Sequence, residues 1–113
     1  MLVFHLNDAS VEDTDMHFAL RAKGARDAAL KAWAASCYSP VAEVEANGAD
    51  DMENLEIAFE RTNHIMCDWR ENEGVKALAT RCRSTSVGDI VKIGHALYLC
   101  SPIGWTKLEN ANV

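Results

Sequence analysis

Residues 88–108 read GDIVKIGHALYLCSPIGWTKL, and this stretch decides the fold. Three short runs of aliphatic, aromatic and β-branched residues occupy 90–93, 96–100 and 103–108. The turn residues Gly94 and Pro102 lie in the two short connections between these runs. Short apolar runs with tight connections predict strands joined as antiparallel hairpins. The C-terminal part of the chain is therefore predicted to be a three-stranded meander.

Three further strands are predicted upstream of the meander. Leu2–Leu6 (LVFHL) is a short apolar run with β-favouring residues. Met16–Ala22 and Val41–Ala46 each alternate apolar residues with more polar ones, which is the period of a strand with one buried face. In the last of these strands, Glu43 and Glu45 lie on the exposed side.

Two helices are predicted between these strands. Ala25–Ser36 is rich in alanine and carries Trp33 on its apolar side, and Ser39-Pro40 is expected to end it. The second helix begins at Asp50 or Asp51, either of which can cap its free N–H groups. Its predicted buried stripe is Met52, Leu55, Phe59, Thr62 and Met66. A short helical turn is predicted at Lys76–Thr80.

The fold class predicted from these elements is α+β, in one domain spanning residues 1–113. We expect a mostly antiparallel sheet of five to six strands with two helices on one face, in the order β-β-α-β-α-β-β-β. The predicted core consists of Phe18, Leu20, Trp33, Val44, Leu55, Phe59, Ile90, Leu97, Leu99 and Trp105.

Composition excludes several classes of protein. The chain has 113 residues, of which 17 are acidic and 11 basic, for a net charge of −6. This balance argues against direct nucleic-acid binding, which requires a basic surface. No apolar run is long enough for a membrane span, and the N-terminus lacks the basic start of a secretory signal. A cytoplasmic location is therefore expected.

Cysteine and histidine spacing favours neither metal nor redox chemistry. The four cysteines and four histidines are scattered, and no CxxC pair occurs. Asp68–Glu73 and Thr62–His64 contain groups capable of acid–base work, but their spacing fixes no catalytic pair. The sequence therefore predicts a protein that is not an enzyme, with no catalytic residue, no metal site and no cofactor.

Acidic residues are concentrated in the middle of the chain. Between Val41 and Glu60 there are seven acidic residues and no basic one. A surface of this kind attracts a cationic partner. The predicted partner-binding residues are Glu43, Glu45, Glu53, Glu56 and Glu60.

The segment Arg81–Asp89 (RCRSTSVGD) offers a second candidate site. Guanidinium groups beside hydroxyls can bind a phosphate or a carboxylate. The possible anion-binding residues are Arg81, Arg83, Ser84, Thr85 and Ser86. In the alternative interpretation these residues only form a turn, since no phosphate-loop pattern accompanies them.

A resemblance to a known family rests on several separate strings. They are Val41–Glu45, LEIAFERTNHI at Leu55–Ile65, the trio Trp69, Asn72 and Val75, RSTSVGD at Arg83–Asp89 with Ile90, and Ile103–Trp105. Together they resemble a family of small phage- and plasmid-encoded proteins of unassigned function. The resemblance covers about Val41–Leu108, and RSTSVGD is its most specific part. It implies an accessory protein acting in the cytoplasm of a bacterial host.

Three functions are expected from these observations. The first is a non-catalytic protein that binds a host protein or protein–nucleic-acid complex through its acidic surface. By analogy with other mobile-element proteins, it would inhibit a defence complex, as anti-CRISPR and anti-restriction proteins do. The second is a regulator or enzyme that binds an anionic ligand at Arg81–Asp89. The third is a homodimeric structural module in which the edge of the meander pairs across a two-fold axis.

Overall fold

The computed structural model describes residues 1–7, 25–63, 68–79, 83–102 and 104–108. The predicted strand Met16–Ala22, with Phe18 and Leu20, lies outside these ranges. No helix within them is long and apolar enough to cross a membrane. The described elements are β1 (Leu2–Leu6), α1 (Ala25–Ala34), β2 (Tyr38–Val44), α2 (Asp51–Arg61), a 3₁₀ turn (Trp69–Glu71), β3 (Val75–Ala77), β4 (Ile90–Ile93), β5 (Ala96–Cys100) and β6 (Trp105–Lys107).

Six strands form one sheet in the order β3-β2-β1-β4-β5-β6, and every neighbouring pair is antiparallel. This arrangement, with the two helices among the described residues, confirms the predicted α+β class. The meander is confirmed as β4-β5-β6. Its first hairpin turns at Gly94, whose positive φ of 61° suits a residue without a side chain.

The two helices pack on opposite faces of the sheet, which corrects the expectation that they share one face. Leu55 and Ala58 of α2 cluster with Val3 and Val91, whereas α1 packs with Ile90 of the other cluster. Ile90 and Val91 are neighbours in β4, so their side chains point to opposite faces. The central strands carry buried apolar side chains on both sides, because each side is covered by a helix.

Helix α1 ends earlier than predicted, and Pro40 does not end it. Ser36 has a φ of 58°, and the N–H groups of Ser36 and Cys37 donate to the carbonyls of Trp33 and Ala32. This is a Schellman motif, which closes the helix after Ala34. Pro40 lies within β2, beside a register shift where an extra residue interrupts the pairing with β1. Such an irregularity tolerates a residue that has no N–H group.

Helix α2 begins as predicted, with Asp50 as its N-cap, but its buried stripe is rotated. Asn54, Leu55, Ala58 and Thr62 are buried, while Met52 is 54% exposed and Phe59 is 37% exposed. Asn54 can be buried because its side-chain oxygen accepts from the Gly48 N–H at 2.7 Å.

The rest of the predicted core is mostly confirmed. The buried members are Val44, Leu55, Ile90, Leu97 and Leu99. Trp33 and Trp105 are only partly buried, and the fully buried tryptophan is Trp69. The helical turn predicted at Lys76–Thr80 is wrong at its start, because Lys76 and Ala77 belong to β3 and Lys76 pairs with Glu43 of β2; Thr80 lies outside the described residues. Here pairing with a strand distant in sequence outweighs the local preference for a helical turn.

The rotation of α2 gives a test of the fold. Leu55→Ala should lower the free energy of unfolding by about 3 kcal/mol, since it removes a fully buried side chain. Met52→Ala should change it by less than about 0.5 kcal/mol, since that side chain is mostly exposed. Urea denaturation of both variants measures the difference. Equal losses would contradict the orientation described for α2.

Candidate functional site

Three of the predicted partner-binding residues form a ridge on α2. Glu53, Glu56 and Glu60 are all exposed and follow one another along the helix at intervals of three and four residues. The helical rise spaces the first and last of them by about 10 Å along the axis. Among the residues that the structure describes, no lysine, arginine or histidine nitrogen lies within 4.0 Å of their carboxylates. We call these three residues the acidic ridge.

The N-terminus of α2 is fixed to the sheet below it. Asp50 accepts from the Glu53 N–H at 2.9 Å, and the Tyr98 hydroxyl donates to Asp51 Oδ2 at 2.6 Å. The hydrogen bond to Asp51 is the main cause that raises the pKa of Tyr98 to about 12. The acidic ridge is therefore carried by a helix held at its cap and by its buried side.

Glu43 and Glu45 do not join the acidic ridge. Glu43 is paired with Leu2 and Lys76, so its side chain lies on the sheet face opposite α2. Glu45 follows the end of β2 and accepts from the Asn47 amide at 3.3 Å. Its carboxylate lies over Gly74, beside a cleft of about 200 Å³. The five predicted residues are thus divided between the helix and the end of β2.

In the anion-binding candidate, the guanidinium of Arg83 is engaged by a carboxylate of the same chain. Its two terminal nitrogens donate to Asp89 at 2.5 and 2.8 Å. Asp89 is only 1% exposed and also accepts from the backbone N–H groups of Leu6 and Ser86. Arg81 lies outside the described residues. Arg83 is therefore the partner of Asp89, whose buried charge must be paired.

The three hydroxyl residues of this segment have different surroundings. Ser84 is half-buried, and its carbonyl accepts from Arg83 at 3.1 Å. Ser86 is exposed, with its Oγ 3.4 Å from the Arg83 guanidinium. Thr85 is only 3% exposed, so its hydroxyl is not available to a ligand in solution. The segment forms a turn that faces inward at Thr85 and Asp89.

Sequence reasoning missed the hydrogen bonds of His5. Its Nε2 lies 2.9 Å from the Thr85 hydroxyl, which lies 2.6 Å from the Thr62 hydroxyl. Thr62 donates its proton to the Ala58 carbonyl at 2.7 Å, so Thr85 must donate to Thr62. Thr85 then accepts from His5, which fixes the neutral tautomer with its proton on Nε2. No sequence signal shows this, because His5 and Thr85 are 80 residues apart.

Together His5, Thr62, Thr85, Asp89 and Arg83 form the buried polar cluster. The pKa of His5 is lowered to about 4, mainly by burial; the charge of Asp89 raises it and the smaller effect of Arg83 lowers it. The imidazole is therefore neutral at pH 7. His5 and Asp89 are 5% and 1% exposed, so their side chains are shielded from solvent and their hydrogen bonds stabilise the fold.

Two further groups near the cluster have raised pKa values. Burial, with a smaller contribution from Asp89, raises the pKa of the Cys100 thiol to about 12. Burial also raises the pKa of Tyr38 above its usual range, and its hydroxyl donates to the Gly88 carbonyl at 2.6 Å. Both groups stay protonated at pH 7, so Cys100 is not an activated nucleophile. Within the described ranges, no group of three or more His, Cys, Asp or Glu side chains could hold a metal ion.

The lowered pKa of His5 predicts a specific acid sensitivity. Its pKa is about 4 in the folded chain and 6.5 in the unfolded chain, so the unfolded chain binds the extra proton between these values. The contribution of neutral His5 to the free energy of unfolding is fully present above pH 6.5. It decreases as the pH drops, by about 3 kcal/mol at pH 4. When the pH is lowered from 7 to 4, the free energy of unfolding of His5→Gln should therefore fall by about 3 kcal/mol less than that of the wild type.

Denaturant unfolding at pH 7 and pH 4 measures this difference. The amide of His5→Gln can still donate to Thr85, which keeps the variant close to the native contacts. His95→Gln is the matched control, because His95 is exposed in the turn between β4 and β5. An identical loss of stability in the wild type and in His5→Gln would contradict the lowered pKa.

The pairing of Asp89 predicts a large effect on stability. Asp89→Asn should cost about 3–5 kcal/mol, because it removes one partner of a buried ion pair. Asp68→Asn is the control, since Asp68 forms a similar pair with Arg70 at 2.5 Å but is 35% exposed. That change should cost at most about 1 kcal/mol. If urea denaturation at pH 7 gave similar losses, the importance assigned to Asp89 would be wrong.

The comparisons with known proteins give no relative for this chain. No protein-family model matches it, and no curated protein or solved structure matches it.

Proposed function

We propose that this protein is a non-catalytic binding protein whose acidic ridge contacts a basic surface of a partner protein. The supporting observation is that Glu53, Glu56 and Glu60 are exposed on one side of α2 without a described basic side chain within 4.0 Å. Carboxylates without a basic neighbour among the described residues attract a positive partner and speed association with it.

The sign of the charge selects the class of partner. Nucleic acids and anionic membranes would be repelled by three adjacent carboxylates and by a net charge of −6. A protein surface that binds DNA or RNA is positive along the path of the phosphates. The favoured partner is therefore a protein or protein–nucleic-acid complex with such a surface, which this chain would occupy.

A narrower proposal is inhibition of a bacterial defence complex directed by nucleic acid. It extends the expectation drawn from Arg83–Asp89 and its flanking strings, for which the comparisons give no matching family or curated protein. Anion binding by Arg81–Asp89 has weaker support, because Arg83 is paired with Asp89 and Thr85 is buried. A thermal-shift series with phosphate, sulfate and nucleotides would test that alternative directly, since a bound ligand raises the melting temperature.

Charge reversal of the acidic ridge tests the proposed function. The variant Glu53→Lys, Glu56→Lys, Glu60→Lys should capture its partners from bacterial lysate about tenfold less well than the wild type. Captured proteins should be nucleic-acid-binding proteins, and added DNA or RNA should displace them. Mass spectrometry of immobilised chain identifies and quantifies them.

A second triple variant controls for net charge. Glu43→Lys, Glu45→Lys, Glu73→Lys makes the same change in charge at exposed positions outside the acidic ridge. It should retain capture, and circular dichroism should show that both variants are folded. Undiminished capture by the ridge variant, or equal losses in both variants, would reject the proposal.

A further inference from the structure

Large apolar side chains are exposed beside the acidic ridge. Among the described residues, the exposed large apolar side chains are Met52, Phe59 and Leu78, and the first two belong to α2. The ring of Phe59 meets the ring of Trp105 edge-on, with centroids 6.3 Å apart. Trp105 is itself only partly buried. We call Met52, Phe59 and Trp105 the apolar strip.

Helix geometry places the apolar strip alongside the acidic ridge. Met52 and Phe59 are seven residues apart, so they lie two turns apart on the same side of α2. Glu53 and Glu60 are each one residue further along, which rotates them by about 100° toward the other side of the exposed face. Glu56 lies between the two sets. The exposed half of α2 therefore has an apolar side and an acidic side.

We propose that the apolar strip is the central contact of the binding surface and that its occupant is a basic amphipathic helix of the partner protein. This inference rests on the proposed function and specifies its partner. An exposed aromatic side chain supplies binding energy when it is desolvated, whereas charges at the rim mainly set the association rate. A helix with an apolar side and flanking lysines or arginines complements both halves of the exposed face.

Other occupants fit this surface less well. A second copy of the chain, related by a two-fold axis, would place glutamates of the acidic ridge near their symmetry mates. An anionic lipid surface would meet the same repulsion from Glu53, Glu56 and Glu60. Charge complementarity thus selects a positively charged protein segment.

A synthetic helical peptide of leucine and lysine, with leucine on one side, serves as the probe. Surface plasmon resonance at several salt concentrations measures its association and dissociation rates. The variant Met52→Ser, Phe59→Ser should bind about tenfold more weakly, mainly through faster dissociation. The triple lysine variant of the acidic ridge should bind more slowly and lose most of the salt dependence.

Leu78→Ser is the matched control, because Leu78 is 44% exposed and lies just after β3, outside α2. It should bind the peptide as the wild type does. Thermal melting of each variant checks that it is folded. These variants change exposed side chains, so folding should be retained.

The outcomes separate this inference from the proposed function. Loss of binding in the ridge variant together with normal binding in the strip variant would reject the apolar contact and leave the proposed function standing. Equal weakening by Leu78→Ser, or no binding of the peptide by the wild type, would also overturn the inference. Sedimentation equilibrium showing a wild-type dimer that becomes monomeric in the strip variant would assign the strip to a second copy instead.

Discussion

The carboxylate of Asp89 is the interaction on which the rest of the structure depends. It accepts hydrogen bonds from two backbone N–H groups and from both terminal nitrogens of Arg83. These contacts join the end of β1 to the loop that enters β4. A buried carboxylate is tolerated only when its charge is neutralised and its oxygens are satisfied. The central pair of strands and the RSTSVGD segment are therefore held by one charge.

The buried polar cluster extends this connection to α2. Thr62 follows the last residue of α2, and its carbonyl accepts from the Thr85 N–H at 3.0 Å. The hydroxyls of these two threonines link His5 of β1 to the Ala58 carbonyl within the helix. One end of α2 is thus held by the cluster and the other by Asp50 and Tyr98. Helix α2, which carries the acidic ridge on its exposed side, is therefore fixed to the sheet at both ends.

The sequence predicted those features that depend on neighbouring residues. The meander follows from turn residues between apolar runs, the start of α2 from the capping side chain of Asp50, and the acidic ridge from helical spacing. Features that depend on distant pairing were missed. Whether Glu43 lies on the same side of the sheet as Glu53 depends on which sheet face α2 covers. Strand β3 forms because Lys76 pairs with Glu43 of β2. The contact between His5 and Thr85 likewise requires the complete sheet.

Among the described strands, the two outer ones are three residues long, and each carries an exposed lysine. Strands β3 and β6 therefore offer few free backbone groups to an incoming chain, and Lys76 and Lys107 add mutual repulsion between copies. An open six-stranded sheet would otherwise be a template for polymerisation through its edges. Short, charged outer strands of this kind disfavour association of copies through the edges of the sheet.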